Sequence, residues 1–523
     1  MEIIMKKSIL YFFVLPCLLL GLSGCSCSPT RNKKEARLYL QTSPISLDPR
    51  IGGNRMSLTV TRLLFEGLFR IDQDGGYKEA LAKSTTISED GLVYTFTIHP
   101  SKWSNGEEVT AHDFEYSWKT ILDPSFPSSF SYVLYDIKNA VEANQSKCSL
   151  DEVGVKALDS HTLQITLRNP APYFLELLAM PIFSPVCRSH CQKGESNPEY
   201  VSNGPFILKQ YDLNSQIFLE KNPLYWNQIK PKMDKVSFTI IEDAQTVYNM
   251  FCSGELDWFG DPCGIIPLDM LSEMDPKTIH KQDIGQCVWL RCQLKNPLLR
   301  SKHIRKALAT AIDRDVICNQ LLKCGELPAK TILAKSLSLL TDAPFKNGDA
   351  EEARHLFAQG LEELGLTKET CPPLSIQYKC DDQSLRGIAE LIRDQVSSTL
   401  GINVTLEDCD YGTLLARFFS GDFQLCLLDW FTFYQDGGYS LNWFKHERWG
   451  DPIFREALDK ADASVNINDR KKYLKEAEER FTDELPVIPI IHKNCKYLKA
   501  SELENEALSA VGQVDFMYVD KSG

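Results

Sequence analysis

Residues 374–407 read LSIQYKCDDQSLRGIAELIRDQVSSTLGINVTLE, and this stretch establishes the fold class. Apolar and polar residues alternate over 374–378, which predicts a half-buried strand. Apolar residues then recur at helical spacing over 385–400, and Gly401 is a typical helix stop. A second alternating run occupies 402–406. Strand, helix and strand within about 33 residues form a βαβ unit, so we expect parallel strands and an α/β fold.

The chain continues from this unit through a short predicted helix, 411–419, to an apolar strand, 423–430. Residues 429–438, which leave that strand, read DWFTFYQDGG. Ligands of open α/β sheets lie beyond the carboxyl ends of the strands, so this segment is the best site candidate that pattern alone supplies. Its aromatic residues are expected to form a stacking wall beside a polar ligand. The alternative is that most of them pack into the core.

Regular structure is also predicted in the first two thirds of the chain. Alternating strands are expected over 93–98, 162–168 and 236–240. Thr110 stands three residues before an aspartate, a spacing typical of a capping box, and predicts a helix start. A further helix is expected over 302–317, where apolar residues fall on one face.

The composition excludes several classes of protein. Apolar residues make up 43% of the chain and charged residues 24%, which is typical of a globular protein, and the net charge is −13. Basic residues do not cluster along the sequence, which argues against nucleic-acid binding. The chain has no phosphate-binding loop, nucleophile elbow or zinc-protease motif. We therefore expect neither an enzyme nor a metal or other cofactor.

The first residues predict export. Lys6 and Lys7 precede an apolar run of 15 residues, 8–22, which is too short to cross a hydrocarbon core of about 30 Å. Residues 1–24 are therefore interpreted as a signal peptide. Leu-Ser-Gly-Cys ends at Cys25 and resembles the bacterial lipobox, so Cys25 is expected to become the acylated N-terminus of a protein that faces the periplasm or the cell exterior. The alternative is an ordinary cleaved signal.

Cysteine is frequent, with 17 residues in the chain. Cys17 would leave with the signal and Cys25 would carry lipid, so 15 remain. Because an exported protein sits where disulfides form, we expect some of these to pair. The others are expected to be small buried thiols.

Several segments together resemble one protein family. The matching segments are FEGLFRIDQDG (65–75), ALAKSTTISEDGLVYTFTIHPSKWSNGEEVTAHDFEYSW (80–118), VKALDSHTLQITLRNPAPYF (155–174), NGPFILKQY (203–211), LEKNPLYW (219–226) and IRKALATAIDRDVI (304–317). They resemble the oligopeptide/dipeptide/nickel family of substrate-binding proteins of ABC importers. The resemblance covers nearly all of the mature chain.

The resemblance implies a Venus flytrap of two α/β lobes joined by a hinge, with an extra domain inserted in the first lobe. In the implied division, residues 25–37 are a tether that precedes the folded domains. Lobe I comprises 38–70, 190–285 and 490–523, the inserted domain comprises 71–189, and lobe III comprises 286–489. The family's function implies a monomer that captures a peptide or peptide-like solute and passes it to an ABC permease. A lipid anchor would keep this receptor near its permease.

The resemblance also assigns residues to the ligand site. In the oligopeptide binders the corresponding loop reads Trp-Cys-x-Asp-Tyr, and its aspartate holds the peptide's α-ammonium. Trp430 and Tyr434 match and are expected to line the pocket, but Phe433 stands at the aspartate position. We therefore expect recognition that does not depend mainly on a free α-amine. Asp429 or Asp436 replacing the missing acid is the alternative.

Two further departures change the charge of the implied site. In the strand matching 288–291, the family's aromatics often end in a glutamate, whereas here the strand contains Trp289 and ends in Arg291. Arg291 is expected to offer a contact to a carboxylate. Where peptide binders can place another acid, this chain has Gly52 and Gly53. A blocked, acidic or non-peptide ligand therefore stays open.

Two other functions remain open from the sequence. The same fold could bind another solute, such as a haem, a metal chelate or a cell-wall fragment. The chain could also be a surface lipoprotein with a role in adhesion or folding and none in transport.

Overall fold

Three larger β-sheets and three two-stranded ones form in the described part of the chain in the computed structural model. The structure describes residues 34–192, 201–341, 345–380, 382–432, 434–446 and 449–522. Buried apolar side chains form one large core, shared by lobe I and the inserted domain, and two smaller cores in lobe III. The fold is thus a two-lobed α/β architecture, as the sequence predicts.

The sheet of lobe I has four strands. Their order across the sheet is Glu35–Leu40, Lys235–Ile240, Gln216–Lys221 and Phe206–Asp212. The first two strands are parallel and the other neighbours are antiparallel. The strand predicted from alternation at 236–240 is therefore confirmed.

The sheet of the inserted domain is antiparallel, and the helix that packs on it begins where the sequence predicts. Its strands are Ala82–Ile87, Val93–Ile98, Thr162–Thr166 and Val155–Ala157, in that order across the sheet. The side chain of Asp113 accepts a hydrogen bond from the backbone N–H of Thr110 at 2.8 Å, which completes the capping box. The helix Ala111–Leu122 then buries Phe114 and Trp118 completely.

The third sheet joins the two lobes. Its order is Trp258–Gly260, Val487–Lys499, His280–Cys292, Leu425–Phe431, Leu374–Lys379 and Val404–Cys409. Leu374–Lys379 and Val404–Cys409 pair in parallel around the helix Gln383–Leu400, so the βαβ unit is confirmed. Gly401 ends that helix with φ 71°, in the left-handed region that glycine favours.

Two strands of 13 residues, His280–Cys292 and Val487–Lys499, form the centre of this sheet, and we call them the hinge strands. At one end they adjoin the lobe I strand Trp258–Gly260, and at the other the lobe III strand Leu425–Phe431. Their mutual register shifts between Asp283 and Cys287. The lobe boundaries implied at 285/286 and 489/490 fall inside these strands.

Helices cover the sheets. The longer ones are Arg55–Leu64, Ala111–Leu122, Ala244–Cys252, Lys302–Ala311, Ala350–Leu364, Gln383–Leu400, Tyr411–Ser420, Gly437–His446, Pro452–Asp462 and Ile467–Glu484. The single helix expected over 302–317 is wrong in its extent, because it ends at Ala311. Ile312 is extended, and Asp313 accepts hydrogen bonds from two following N–H groups and so starts a new helical turn at Arg314–Val316.

The fourteen described cysteines are all free thiols, so the expectation of disulfides is wrong for this part of the chain. Most of them are buried among apolar side chains. Burial raises the pKa of the Cys292 thiol to about 12, which leaves it protonated and unreactive. Within the described ranges, no helix is long and apolar enough to cross a membrane, and no three ligating side chains gather as a metal site would need.

Candidate ligand-binding cleft

A cavity of about 540 Å³, partly open to solvent, lies where the two lobes and the inserted domain meet. Lobe I contributes the first two turns of the helix Arg55–Leu64 and the segment 511–514. The inserted domain contributes Phe130, and lobe III contributes Phe431 and Thr432.

The lobe I wall is shaped by the start of its helix. Asn54 accepts a hydrogen bond from the backbone N–H of Ser57 at 3.0 Å and thereby caps the helix. Gly53 precedes it with φ 149°, and a Cβ atom there would lie 2.7 Å from Ser57 Oγ. Position 53 therefore has no room for an acidic side chain, so this wall cannot present a carboxylate there.

A polar network crosses the cleft from lobe I to lobe III. Arg55 donates from Nη1 to Asp261 at 3.1 Å and from Nη2 to Gln286 at 3.0 Å. Gln286 donates in turn to Asp429 at 2.7 Å, and Lys493 Nζ lies 3.3 Å from the same carboxylate oxygen. Burial would raise the pKa of Asp429, but the charge and hydrogen bond of Lys493 outweigh it and hold that pKa below its usual value. Asp429 is thus an ionised carboxylate with two protein partners.

Asp436 and Tyr434 lie at a second contact, between lobe III and the inserted domain. The ring of Tyr434 stacks on Tyr173 of the inserted domain, with centroids 4.7 Å apart. Arg470 donates to both oxygens of Asp436, at 2.8 and 2.9 Å, and its guanidinium lies 4.9 Å from the centre of the Tyr173 ring. Asp436 is 7% exposed and Arg470 is buried more completely still. Asp436 therefore serves as a structural ion-pair partner.

Two carboxyl groups of the inserted domain lie at the same contact. Glu176 accepts a hydrogen bond from the backbone N–H of Gln435 at 2.7 Å, and burial raises its pKa to about 7. Burial likewise raises the pKa of Asp136 to about 6, against a hydrogen bond from Tyr173 that lowers it. The contact between lobe III and the inserted domain therefore contains groups that titrate near neutral pH.

Strand alternation separates the predicted site residues into two faces of the sheet. Cys287 pairs with Trp430, and Gln286 pairs with Phe431. Directly opposite residues share a face, so Asp429 and Phe431 face the cleft while Trp430 faces the other way. Trp430 Nε1 donates to Ser440 in the helix Gly437–His446 at 3.1 Å.

Trp289 and Arg291 share the face of Trp430. Trp289 is 2% exposed, and its ring centroid lies 5.9 Å from that of Phe444. The guanidinium of Arg291 lies 5.1 Å from the same ring, and its side chain is buried. The structure places both residues inside lobe III and not among those that line the cavity. Their contact with ligand stays a prediction.

The sequence analysis missed most of the residues that line the cleft, and Phe431 and Arg55 are two that bear on ligand binding. Phe431 is 42% exposed and lines the cavity, and the alternation that places Asp429 in the cleft would have indicated it. Arg55 supplies a positive group on the lobe I side, but no local pattern distinguishes it from other helix residues. The predicted roles of Phe433 and Cys25 fall outside the residues that the structure describes.

Comparison with known proteins gives one consistent result. The family model "Bacterial extracellular solute-binding proteins, family 5 Middle" matches residues 76–452. The oligopeptide-binding protein OppA of Bacillus subtilis is 33% identical, over 95% of this chain and 94% of its own length. The dipeptide-binding protein DppE of the same organism is 29% identical, over 97% and 98%.

Solved structures agree with these sequence matches. The periplasmic oligopeptide-binding protein OppAIV of Borrelia burgdorferi superposes with a TM-score of 0.78, at 28% identity, over 94% of this chain and 100% of its own. OppA of Listeria monocytogenes, solved bound to peptide, superposes with a TM-score of 0.74, at 25% identity, over the same shares.

Proposed function

The chain belongs to family 5 of the bacterial extracellular solute-binding proteins, and from that premise we propose that it captures a peptide or peptide-like solute and delivers it to an ABC permease. The observation that carries this proposal is the cavity bounded by lobe I, the inserted domain and lobe III. The hinge strands run between the lobes, so rotation about them would open and close the cavity. The family is one of binding proteins, and we expect no catalysis.

The test of this function is what the native protein retains in its cleft. Native mass spectrometry of the protein purified without denaturant should show bound peptides, released on unfolding. Leu58→Trp, which adds bulk to the cavity wall, should remove them. The control variant Leu213→Trp makes the same substitution at a side chain that is 69% exposed, and this variant should retain the bound peptides. Equal occupancy of both variants would contradict binding in this cavity.

The proposal includes the place of the protein in the cell. Acylation of Cys25 would anchor a monomeric receptor to a membrane, facing the periplasm or the cell exterior, within reach of its permease. The lipobox resemblance of residues 22–25 supports this. Mass spectrometry of the N-terminal peptide of the native protein should find a thioether-linked lipid on Cys25.

We further infer that the ligand is not held mainly by a free α-ammonium. The two acids that could replace the family's aspartate already have cationic partners: Asp436 is bound by Arg470, and Asp429 by Lys493. The residues that line the described cavity include Arg55 and Arg62 and no acidic one. Asp429 faces the same cleft and is 37% exposed, but its carboxylate is already paired with Lys493. Such a lining favours a blocked or carboxylate-bearing ligand over an exposed amine.

Matched peptides test this inference. A desolvated ammonium without a partner costs about 1–3 kcal/mol, so a free amine should give a peptide no advantage in this site over its acetylated form. We expect acetylation to change the affinity measured by calorimetry by less than about tenfold, or ~1.4 kcal/mol. Phe433→Asp should create a preference for the free amine. Loss of wild-type binding on acetylation would refute the inference.

A further inference from the structure

A second concave surface lies on lobe I, away from the cleft. It is a shallow hollow of about 1,140 Å³, open to solvent. Five lysines and one aspartate line it: Lys34, Lys221, Lys230, Lys232, Lys521 and Asp520. These residues come from four separated segments, which is why no basic cluster is visible along the sequence. The hollow is positive in a protein whose net charge is −13.

The positive charge of the hollow is only partly neutralised. Lys521 is buried and paired with Asp257 at 2.8 Å, so the excess charge comes from the other four lysines. Lys34 and Lys221 share one carboxylate, that of Asp234, each at 3.6 Å. Lys232 is exposed and forms no ion pair with any residue that the structure describes. Lys230 lies 5.5 Å from the centre of the Tyr225 ring. Burial and the neighbouring Lys221 lower the pKa of Lys230, which is consistent with an excess of positive charge.

The hollow adjoins the point where the tether joins the fold. Lys34 is the first described residue and lies nine residues after Cys25. A fully extended chain spans about 3.3–3.6 Å per residue, so acyl chains on Cys25 would hold Lys34 within about 30 Å of the bilayer. The tether itself carries Arg31 and Lys33. Positive charge therefore extends along the sequence from Arg31, six residues after Cys25, to the edge of the hollow.

Apolar side chains accompany the lysines. Ile229, beside Lys230 in the sequence, is 63% exposed, and Leu224 is 39% exposed. Lysines interspersed with exposed apolar residues are typical of surfaces that rest on lipid headgroups. The lining has no arginine, whose rigid fork would suit a single bound phosphate, and lysine is the flexible point charge that suits a field of headgroups.

We propose that this lysine surface, formed by Lys34, Lys221, Lys230, Lys232 and Ile229, rests on anionic lipid headgroups of the membrane that anchors the protein. The inference rests on the proposed lipid anchor for its orientation. The surface would set which face of lobe I is turned to the bilayer. Each lysine near an anionic leaflet changes the partition of a protein about fivefold.

The test uses the native lipoprotein reconstituted into vesicles of phosphatidylcholine, with or without phosphatidylglycerol. Amine labelling read by mass spectrometry should be several-fold slower at Lys230 and Lys232 on the anionic vesicles, and equal on both at high salt. Lys472 in lobe III should be labelled equally on both. The triple variant Lys34→Gln, Lys230→Gln, Lys232→Gln should lose the salt-sensitive protection. A matched triple variant of the exposed Lys471, Lys472 and Lys475 should keep it.

The outcomes separate the anchor from the surface. Protein that floats with both vesicle types but labels identically on them has an anchor and no lysine surface, which overturns the proposal. Protein that floats only with anionic vesicles, and no longer does so in the first triple variant, has the surface without the anchor. Protein that floats with neither overturns both.

Discussion

Replacing Arg470 by methionine removes the cation that holds Asp436 at the contact between lobe III and the inserted domain. The two hydrogen bonds, at 2.8 and 2.9 Å, lie in a region where neither side chain is more than 7% exposed. Removing one partner of a buried pair costs about 3–5 kcal/mol, because the other charge stays in the interior without compensation. Loss of the guanidinium 4.9 Å from the Tyr173 ring adds roughly 0.5–2 kcal/mol.

The two terms together amount to about 3.5–7 kcal/mol. For a lobe of roughly 200 residues, each kcal/mol corresponds to about 2–4 °C, so the unfolding midpoint should fall by about 7–28 °C. Scanning calorimetry measures it, with lobe III followed as its own transition if the lobes unfold separately. Arg386→Met removes a pair on the exposed face of a helix, 63% and 44% exposed, and should cause no measurable shift.

The double variant Arg470→Met, Asp436→Asn decides whether the uncompensated charge is the cause. In the wild type, Asp436 accepts a hydrogen bond of 2.8 Å from the backbone N–H of Gly438. An asparagine at 436 is uncharged, and its side-chain oxygen can still accept this hydrogen bond. The double variant should therefore recover at least half of the lost stability. A double variant as unstable as Arg470→Met alone would show that the loss comes from packing, and would refute the reasoning.

Three further predictions follow from single positions. Burial raises the pKa of Glu176 from its ordinary value of 4.5 to about 7, so the folded state binds more protons than the unfolded state between these values. Wild-type stability should therefore fall as pH rises through this window, and Glu176→Gln should flatten that slope in thermal scans. Gly53→Ala, at φ 149° and without room for a Cβ, should destabilise the protein by about 1–3 kcal/mol in urea titrations, whereas Gly76→Ala, with nothing within 4 Å, should not. Phe431→Ala should weaken ligand binding in calorimetry and leave the stability of the protein nearly unchanged. Trp289→Ala removes a ring that is 2% exposed and should cost about 3–5 kcal/mol of stability. Equal stability losses in the two variants would contradict the assignment of the two rings to different faces of the sheet.

Local patterns in the sequence predicted the elements well, because a strand or a helix start depends on neighbours within a few residues. The βαβ unit at 374–407 and the cap at Thr110 are of this kind, and both are confirmed. The prediction at 302–317 was wrong in extent because Asp313 also acts locally, as a competing cap inside an otherwise periodic stretch.

The sequence by itself determined the α/β class, the family and the segment that ends at the cleft, because hydrophobic periodicity and contiguous motifs indicate all three. Only the tertiary structure decided which charges the cleft presents. From the sequence, Asp436 could have bound a ligand amine, but in the structure Arg470, 34 residues away, occupies its carboxylate. The lysine hollow likewise forms only because four separate segments fold together. Side-chain pairing across such separations is set by the packing of whole elements, and no local pattern records it.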